Sequence, residues 1–412
     1  MLVFAAACGP AETDTSTGEA PMSATSASSD GAASSSGVSA TGVGPGSETA
    51  AADTSSSTAH GTGSTESTGD GSSPTGPALP ACGDGNLDPG EDCDDGNLSD
   101  DDSCTSACVE AFCGDGLTWV AQEECDDGDA VDDDGCTNGC VERFPEVYVR
   151  VESDGDTLWR YLPETDTYEV RTGPSVLGLN LGYYGMDWDG SGLWLLGEDF
   201  ALLRYDPPTD TWTIEEPSGF ALLLERTRLV WTPHALFAFS IFWQAGDDYG
   251  VYRDGAWYPV LLDFDASRGA DYDPVADELL FRVGDTIDIR VVDPATDELI
   301  REVDQGVAAY SHALDVAFVD GEVVVDGDGS SMMRIDVQTG ALFDTGVTPT
   351  SYDPELAADI HKRQVYIAGG GTQTGTLERY DVDAGTLTPL ASFSQPGVQY
   401  DTGYVAVGYA NP

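Results

Sequence analysis

From residue 144 to residue 412 apolar and polar positions alternate in short runs, the period of half-buried β-strands, with little of the helical period. One phrase recurs six times: "WRYLPETDTYEV" near 160, "LRYDPPTDTWTI" near 204, "GVYRDGAWYPV" near 252, "RVVDPATDELIREV" near 290, "MRIDVQTGALFDTG" near 334 and "ERYDVDAGTLTPL" near 379. The interval is about 38 to 48 residues. In the second copy the alternation predicts a strand up to Tyr205. Asp206 can accept from the turn's backbone donors, Pro207 fixes φ, Thr209 and Asp210 complete the turn, and "TWTI" returns as the next strand. Each later phrase follows a hydrophobic strand ("GLWLLG", "ALFAFSIF", "ELLFRVG", "EVVVDG", "QVYIAGGG"), and most carry a further short one before it, as in "GMDWDGSG" and "ADYDPVAD". That makes about four strands per unit, and periods of this length indicate a radial or stacked array of small β units.

Six four-stranded units resemble a β-propeller. The expected fold class is all-β, a six-bladed propeller over 144–412, with seven blades as the alternative. A jelly roll or sandwich would not need the repeated phrase. "VYIAGGGTQTGTLERYDVDAGTLTPL" and "LRYDPPTDTW" are similar to kelch repeats, which pair glycines with a later Tyr and Trp; the other units lack the double glycine. The first unit, "EVYVRVESDGDTLWRYLPETDTYEV", lacks an innermost strand, whereas the terminal "GYVAVGYA" alternates as a spare one. Residues near 399–409 are therefore expected to pair with the blade containing Val147 to Val170 and close the ring, hiding an open strand edge.

Before residue 144 the alternation stops. Residues 9–80 are dominated by Ser, Thr, Gly and Ala, with large apolar residues nearly absent. Such a segment cannot offset its ordering entropy by burial and reads as a disordered tether; His60 within it is incidental. Ahead of it, residues 1–8, "MLVFAAAC", run from Leu2, Val3 and Phe4 through small residues to Cys8. This resembles the lipobox of bacterial lipoproteins, in which the cysteine after the cut becomes lipidated. Ala5 stands where Leu is usual, no basic residue precedes it, and the apolar stretch is shorter than a whole signal peptide, which points to residues upstream of Met1. The resemblance implies an exported protein anchored by lipid at Cys8 in the cell envelope, at the outer membrane or cell surface.

Residues 81–143 hold eight of the nine cysteines in two copies, 82–108 and 113–140. The spacings are C-x10-C-x10-C-x3-C and C-x11-C-x10-C-x3-C. "CGDGNLDPGEDCDDGN" aligns with "CGDGLTWVAQEECDDGD", and "DDDSCTSACVE" with "DDDGCTNGCVE". The pattern CGDG…CDDGN…DGC-x3-C resembles the disulfide-rich repeat of myxobacterial surface lipoproteins. Zinc sites usually present paired short spacings, and each copy here has one. An even count in an exported setting favours disulfides among Cys82, Cys93, Cys104, Cys108, Cys113, Cys125, Cys136 and Cys140, with three connectivities open in each copy. Such small units need these staples because their cores are too small.

Charge sharpens the picture. The formal net charge is -58, the first basic residue is Arg143 and Lys362 is the only lysine. Such a chain lacks the basic clusters that nucleic acid or anionic lipid would require. Much of the acidity is solvation. Two loops concentrate it: Asp94, Asp95, Asn97, Asp100, Asp101 and Asp102, and then Asp126, Asp127, Asp129, Asp132, Asp133 and Asp134. Calcium, which takes six to eight oxygen ligands, is the cofactor such loops would hold; the alternative is that Asp and Asn serve as turn formers.

No G-x-S-x-G, H-E-x-x-H or phosphate loop occurs. His234 and His312 precede apolar strands at comparable positions, where a propeller has one mouth of its channel, and His361 lies in "DIHKRQVYIA". Single histidines at strand edges more often have no such role. Trp188, Trp194, Trp212, Trp243 and Trp257 are expected mostly in blade cores, with some at loop tips able to stack on sugars. The function this favours is a lipid-anchored surface protein that binds a protein or glycan. The alternatives are a propeller hydrolase or lyase acting on polysaccharide and a structural envelope protein. Facing Arg, Glu and Tyr side chains at the channel mouth would favour the enzyme, and an aromatic rim would favour binding.

Overall fold

A computed structural model describes residues 82–409, apart from 133, 152–156, 179–184, 198–200, 217–226, 241–247, 262–265, 284–285, 306–314, 326–330, 351, 371–373 and 395–402. Cys8, His60, Asp133, Trp243 and His312 lie outside the described residues.

Each disulfide repeat is closed by two nested bridges. Cys82–Cys108 encloses Cys93–Cys104, and Cys113–Cys140 encloses Cys125–Cys136. Cys104, Cys108, Cys136 and Cys140 are buried and form most of the small core. One carboxylate organises each loop. Asp94 accepts from the backbone N–H groups of Gly83 (3.1 Å), Asp84 (3.2 Å), Gly85 (2.9 Å) and Gly96 (2.8 Å). Asp126 does the same for Gly114, Asp115, Gly116 and Gly128. Desolvation pushes both carboxyls up, but the four donors hold each below the usual carboxylate range. The "CGDG" glycine is forced by this closeness: at Gly83, with φ +84°, a Cβ would lie 2.4 Å from the carbonyl oxygen of Asn97.

The rest of the chain forms six four-stranded antiparallel sheets. Blade 1 contains β1 (Glu146–Val151), β2 (Leu158–Leu162) and β3 (Thr167–Arg171). Blade 2 contains β4 (Met186–Trp188), β5 (Leu193–Leu196), β6 (Leu202–Asp206) and β7 (Thr211–Glu216). Blade 3 contains β8 (Thr227–Trp231), β9 (Leu236–Ser240), β10 (Asp248–Arg253) and β11 (Ala256–Leu261). Blade 4 contains β12 (Ala266–Asp273), β13 (Glu278–Val283), β14 (Asp288–Val292) and β15 (Leu299–Val303). Blade 5 contains β16 (Val316–Val319), β17 (Glu322–Val325), β18 (Met333–Asp336) and β19 (Leu342–Asp344). Blade 6 contains β20 (Tyr352–Asp359), β21 (Gln364–Gly370), β22 (Thr376–Asp381) and β23 (Thr386–Pro389). The last strand, β24 (Gly403–Gly408), supplies the inner strand of blade 1. Its register with β1 runs from Glu146 opposite Gly408 to Val151 opposite Gly403. The ring is thus a six-bladed propeller closed by its C-terminal strand, as the sequence pattern implies.

Packing lies between the blades. Six apolar clusters form, one for each pair of neighbouring sheets. Alternation in β24 serves two of them: Val405 joins the cluster with blade 6, and Tyr404 and Ala406 join the cluster with blade 2.

The recurring phrase has a second role besides the turn. Asp293, Asp336 and Asp381 accept from backbone N–H groups two or three residues on, as turn-starting aspartates do. The later aspartate of the phrase, Asp166, Asp210 or Asp297, has positive φ. Asp166 and Asp210 accept the hydroxyls of Tyr161 (3.0 Å) and Tyr205 (2.7 Å) and also bond the neighbouring blade, at the N–H of Ala391 and at Thr172 respectively. Tyr and Asp recur together because they link strand, turn and adjacent blade.

Candidate functional site

The inner strands β24, β4, β8, β12, β16 and β20 surround the channel, and a polar side chain links each neighbouring pair. Trp188 Nε1 donates to the carbonyl of Tyr409 (3.2 Å). The N–H of Trp231 donates to Asp187 (2.6 Å), and Arg228 Nε donates to the carbonyl of Ala270 (3.4 Å). The N–H of Phe318 donates to Asp271 (2.7 Å), and that of Leu356 to Asp315 (2.9 Å). Tyr409 Oη donates to Asp359 (2.9 Å), which returns the circuit to the closing strand.

Arg228 is the hub. It is 3% exposed, and every nitrogen is engaged: Nε as above, Nη2 to the carbonyl of Leu356 (3.0 Å), and Nη1 beside Asp315 (3.1 Å) and Glu355 (3.5 Å). Burial opposes its charge, but the surrounding carboxylates raise its pKa further. Its ion pairs among the described residues are with Asp315 and Glu355. Asp187 and Asp271 lie deep but show surface to the channel. Burial pushes the Asp187 carboxyl up to about 6 and that of Asp271 up to about 7, with Arg228 and the backbone donors pulling the other way.

A cavity of about 270 Å³ opens above this hub, at the ends of the inner strands. Asp187, Arg228 and Asp271 lie in its lining, and Trp231 and Tyr272 are half-buried beside them. His361 and Tyr409 stand at the rim. The second disulfide repeat meets that rim. The Cα of Gly135 is so close that a Cβ there would lie 3.3 Å from His361 Cβ. Lys362 pairs with Glu142 (2.6 Å) and lies over the Phe144 ring, and the Arg143 guanidinium lies over the Tyr409 ring. The second repeat therefore packs against the segments that carry His361 and Tyr409.

The residues singled out by sequence divide as follows. His234 is exposed and bonds Asp277 (2.9 Å), linking blades 3 and 4 and taking no part in the cavity lining; His361 does line it. Trp188 and Trp212 are buried in blade packing, and Trp194 and Trp257 pack partly buried against the cluster between blades 2 and 3. In the first acidic loop Asp100 accepts from the N–H of Ser106 (2.6 Å), Asp101 from the Ser99 hydroxyl, and the Asn97 amide bridges Asp95 (3.1 Å) and Asp102 (2.9 Å). In the second, Asp132 accepts from the N–H of Asn138 (2.7 Å). Asp129 stands where the first loop has Asn97. Oxygens of Asp127, Asp129 and Asp134 come within 4.8 Å of one another without that amide between them. Asp134 is 4% exposed; burial and then its acidic neighbours raise its pKa, and His361 Nδ1 lies 3.9 Å away. A hard cation could be held at this trio. In the first loop, Asn97 already supplies the bridging donors.

The channel hub was missed in the sequence. Its signal was a charge inside an apolar inner strand, in "GMDW", "GADY" and "ALDVAF".

No family model and no curated protein match the chain. Among solved structures, a chain of a nidogen/laminin complex is similar, with 10% identity and a TM-score of 0.47 over 65% of this chain and 100% of that one. TolB from Acinetobacter baumannii is similar at 13% identity and a TM-score of 0.45, over 64% of this chain and 66% of that one. Similarity at this level carries no argument about function, and the propeller assignment rests on the sheet topology.

Proposed function

We propose that this chain is a recognition protein of the cell envelope, anchored by lipid at Cys8 and held out by its tether, that takes a group from a protein or glycan into the propeller's channel mouth. The observation that carries this reading is the cavity itself, in which two half-buried aromatic rings stand beside two carboxylates facing the channel. Aromatic faces stack on sugars and on apolar stems, and fixed carboxylates orient what stacks there. The test is an array of envelope glycans and peptides probed with the whole chain and with Trp231→Ala and Tyr272→Ala variants of unchanged melting temperature. Binding lost in the variants supports the reading; binding that survives both refutes it. The anchor is tested separately, since Cys8→Ser should move the protein from the membrane fraction to the soluble one.

Asp187 and Asp271, which titrate near neutrality, favour a second reading: acid–base cleavage of a polysaccharide. Arg228 counts against the arginine-triad form of that chemistry, because it is 3% exposed and each of its three nitrogens is already bound within the protein. Release of reducing ends by the wild type and not by Asp271→Asn would establish cleavage.

A further inference from the structure

We propose that the channel mouth selects a ligand group carrying a primary ammonium, in preference to its neutral or anionic counterparts. This rests on the reading of the mouth as the binding site and adds the chemistry of what it binds.

Arg228 on β8 is matched in direct contact by Asp315, just before β16, and by Glu355 on β20. Its remaining donors go to the carbonyls of Ala270 and Leu356. Four of its five N–H groups are thus used, and the side chain is 3% exposed, which leaves at most one Nη2–H for a ligand carboxylate or phosphate. Asp187 on β4 and Asp271 on β12 are in a different position. Asp187 accepts from the N–H groups of Trp231 and Trp188, and Asp271 from those of Phe318 and Tyr272. A carboxylate has about four acceptor sites, so each keeps unused capacity toward the channel. Neither forms an ion pair among the described residues. The other titratable groups at this end are Asp359, His361, Tyr272 and Tyr409 in the lining, with Asp134, Glu142, Arg143 and Lys362 packed around His361 and Tyr409.

An ammonium answers each of these features. It donates up to three hydrogen bonds to carboxylates that have room for them, and it cancels charge that burial makes unfavourable. Trp231 and Tyr272 line the same cavity, and an aromatic ring attracts a cation that reaches its face. The acidity of the whole chain raises the local concentration of cations and repels anions. A space of about 270 Å³ suits a side chain or a single sugar residue better than a bulky polymer segment.

Two sources offer this chemistry, an amino sugar and a lysine side chain. The full chain is titrated calorimetrically with two matched pairs: a capped lysine tripeptide against its Nε-acetyl form at pH 8, and a glucosamine tetramer, whose weaker amines ionise only nearer neutrality, against its N-acetylated form at pH 7. At least one amine is expected to bind tenfold or more tightly than its acetylated partner, and the pair that does so identifies the source. The burial that raises the two carboxyls also makes protons compete with the ligand. The lysine ammonium stays charged across this range, so affinity for the lysine peptide should fall at least tenfold from pH 8 to pH 5.5, and for either amine both the affinity and its pH dependence should diminish in Asp187→Asn and Asp271→Asn. Equal binding of an acetylated partner, or an unaffected Asp187→Asn/Asp271→Asn double variant, overturns the ammonium assignment. If that binding is still lost in Trp231→Ala, the mouth remains the site. Failure of all four probes overturns the ammonium assignment, and the glycan and peptide array then decides the mouth reading on its own.

Discussion

Deleting residues 397–412 removes β24 and with it the closure of the ring. Four side chains described on that segment are almost fully buried: Tyr404 (2% exposed), Val405 (0%), Ala406 (1%) and Tyr409 (7%). An aromatic side chain buries about 150–250 Å², so at about 25 cal/mol per Å² each tyrosine contributes about 4–6 kcal/mol. Adding about 2 kcal/mol for the valine and about 0.8 for the alanine methyl gives a loss of roughly 11–15 kcal/mol. Val147, Tyr148 and Val149 lose their cover at the same time. So do the bonds from Trp188 to the Tyr409 carbonyl and from the Tyr409 hydroxyl to Asp359, which hold blade 1 to both neighbours. A domain is typically stable by about 5–15 kcal/mol. The loss is of the size of the whole, so the truncated propeller should fail to fold cooperatively instead of fraying at one blade. Urea unfolding followed by circular dichroism and tryptophan fluorescence measures this directly. A truncated chain with an unchanged m-value and a midpoint within a few tenths molar of the full chain would refute the reasoning. Restoration of the transition by an added peptide spanning 397–412 would support it.

Gly408→Ala should destabilise the propeller by about 1–3 kcal/mol and weaken the near-ultraviolet dichroism, because a Cβ there would lie 1.8 Å from Trp188 Cδ1 and displace the indole from its stack on Tyr148. A carboxyl whose folded pKa is raised binds its proton more tightly in the native state, so its favourable contribution is complete below about pH 4 and is lost as pH rises toward 7. For Asp271, raised from 3.8 to about 7, the difference amounts to about 4 kcal/mol; Asp271→Asn should flatten the melting profile between pH 5 and 8, and an unchanged profile would exclude this role. Alkylation without reductant should leave all eight repeat cysteines unlabelled, and a Cys93→Ser/Cys104→Ser pair should cost the first repeat about 2–4 kcal/mol, read by proteolysis.

The features legible in the sequence are those set by local chemistry. Asp293 and Asp336 are turn formers because an Asx side chain reaches backbone donors two and three residues on, and the sequence contains everything that geometry needs. The closing strand was legible for a related reason: "GYVAVGYA" has strand alternation, and the first unit lacked a strand. The pairing of the neck cysteines was not. Spacing allowed three connectivities, and what accompanies the nested one is the folding of each loop around Asp94 or Asp126, whose four donors come from both sides of the central cysteine.

The hub was hidden because its members come from five different blades and meet only after the ring closes. Nothing within "ADYD" distinguishes Asp271, which faces the channel, from Asp273, which accepts from its own turn at the N–H groups of Val275 and Ala276. The comparison nonetheless yields a rule for this chain. A carboxylate at a turn has its donors supplied by its own loop and is saturated. A carboxylate in or just before an inner strand takes one donor from the next residue of its own chain and another from the next blade. Asp187, Asp271 and Asp315 all do this. Their placement therefore serves two ends. The bond to the next blade sets the angle between sheets, and the oxygen capacity left over is directed at the axis. In Asp315 that capacity is taken by Arg228. In Asp187 and Asp271 no ion pair among the described residues takes it, and the proposed site at one end of the channel rests on this asymmetry.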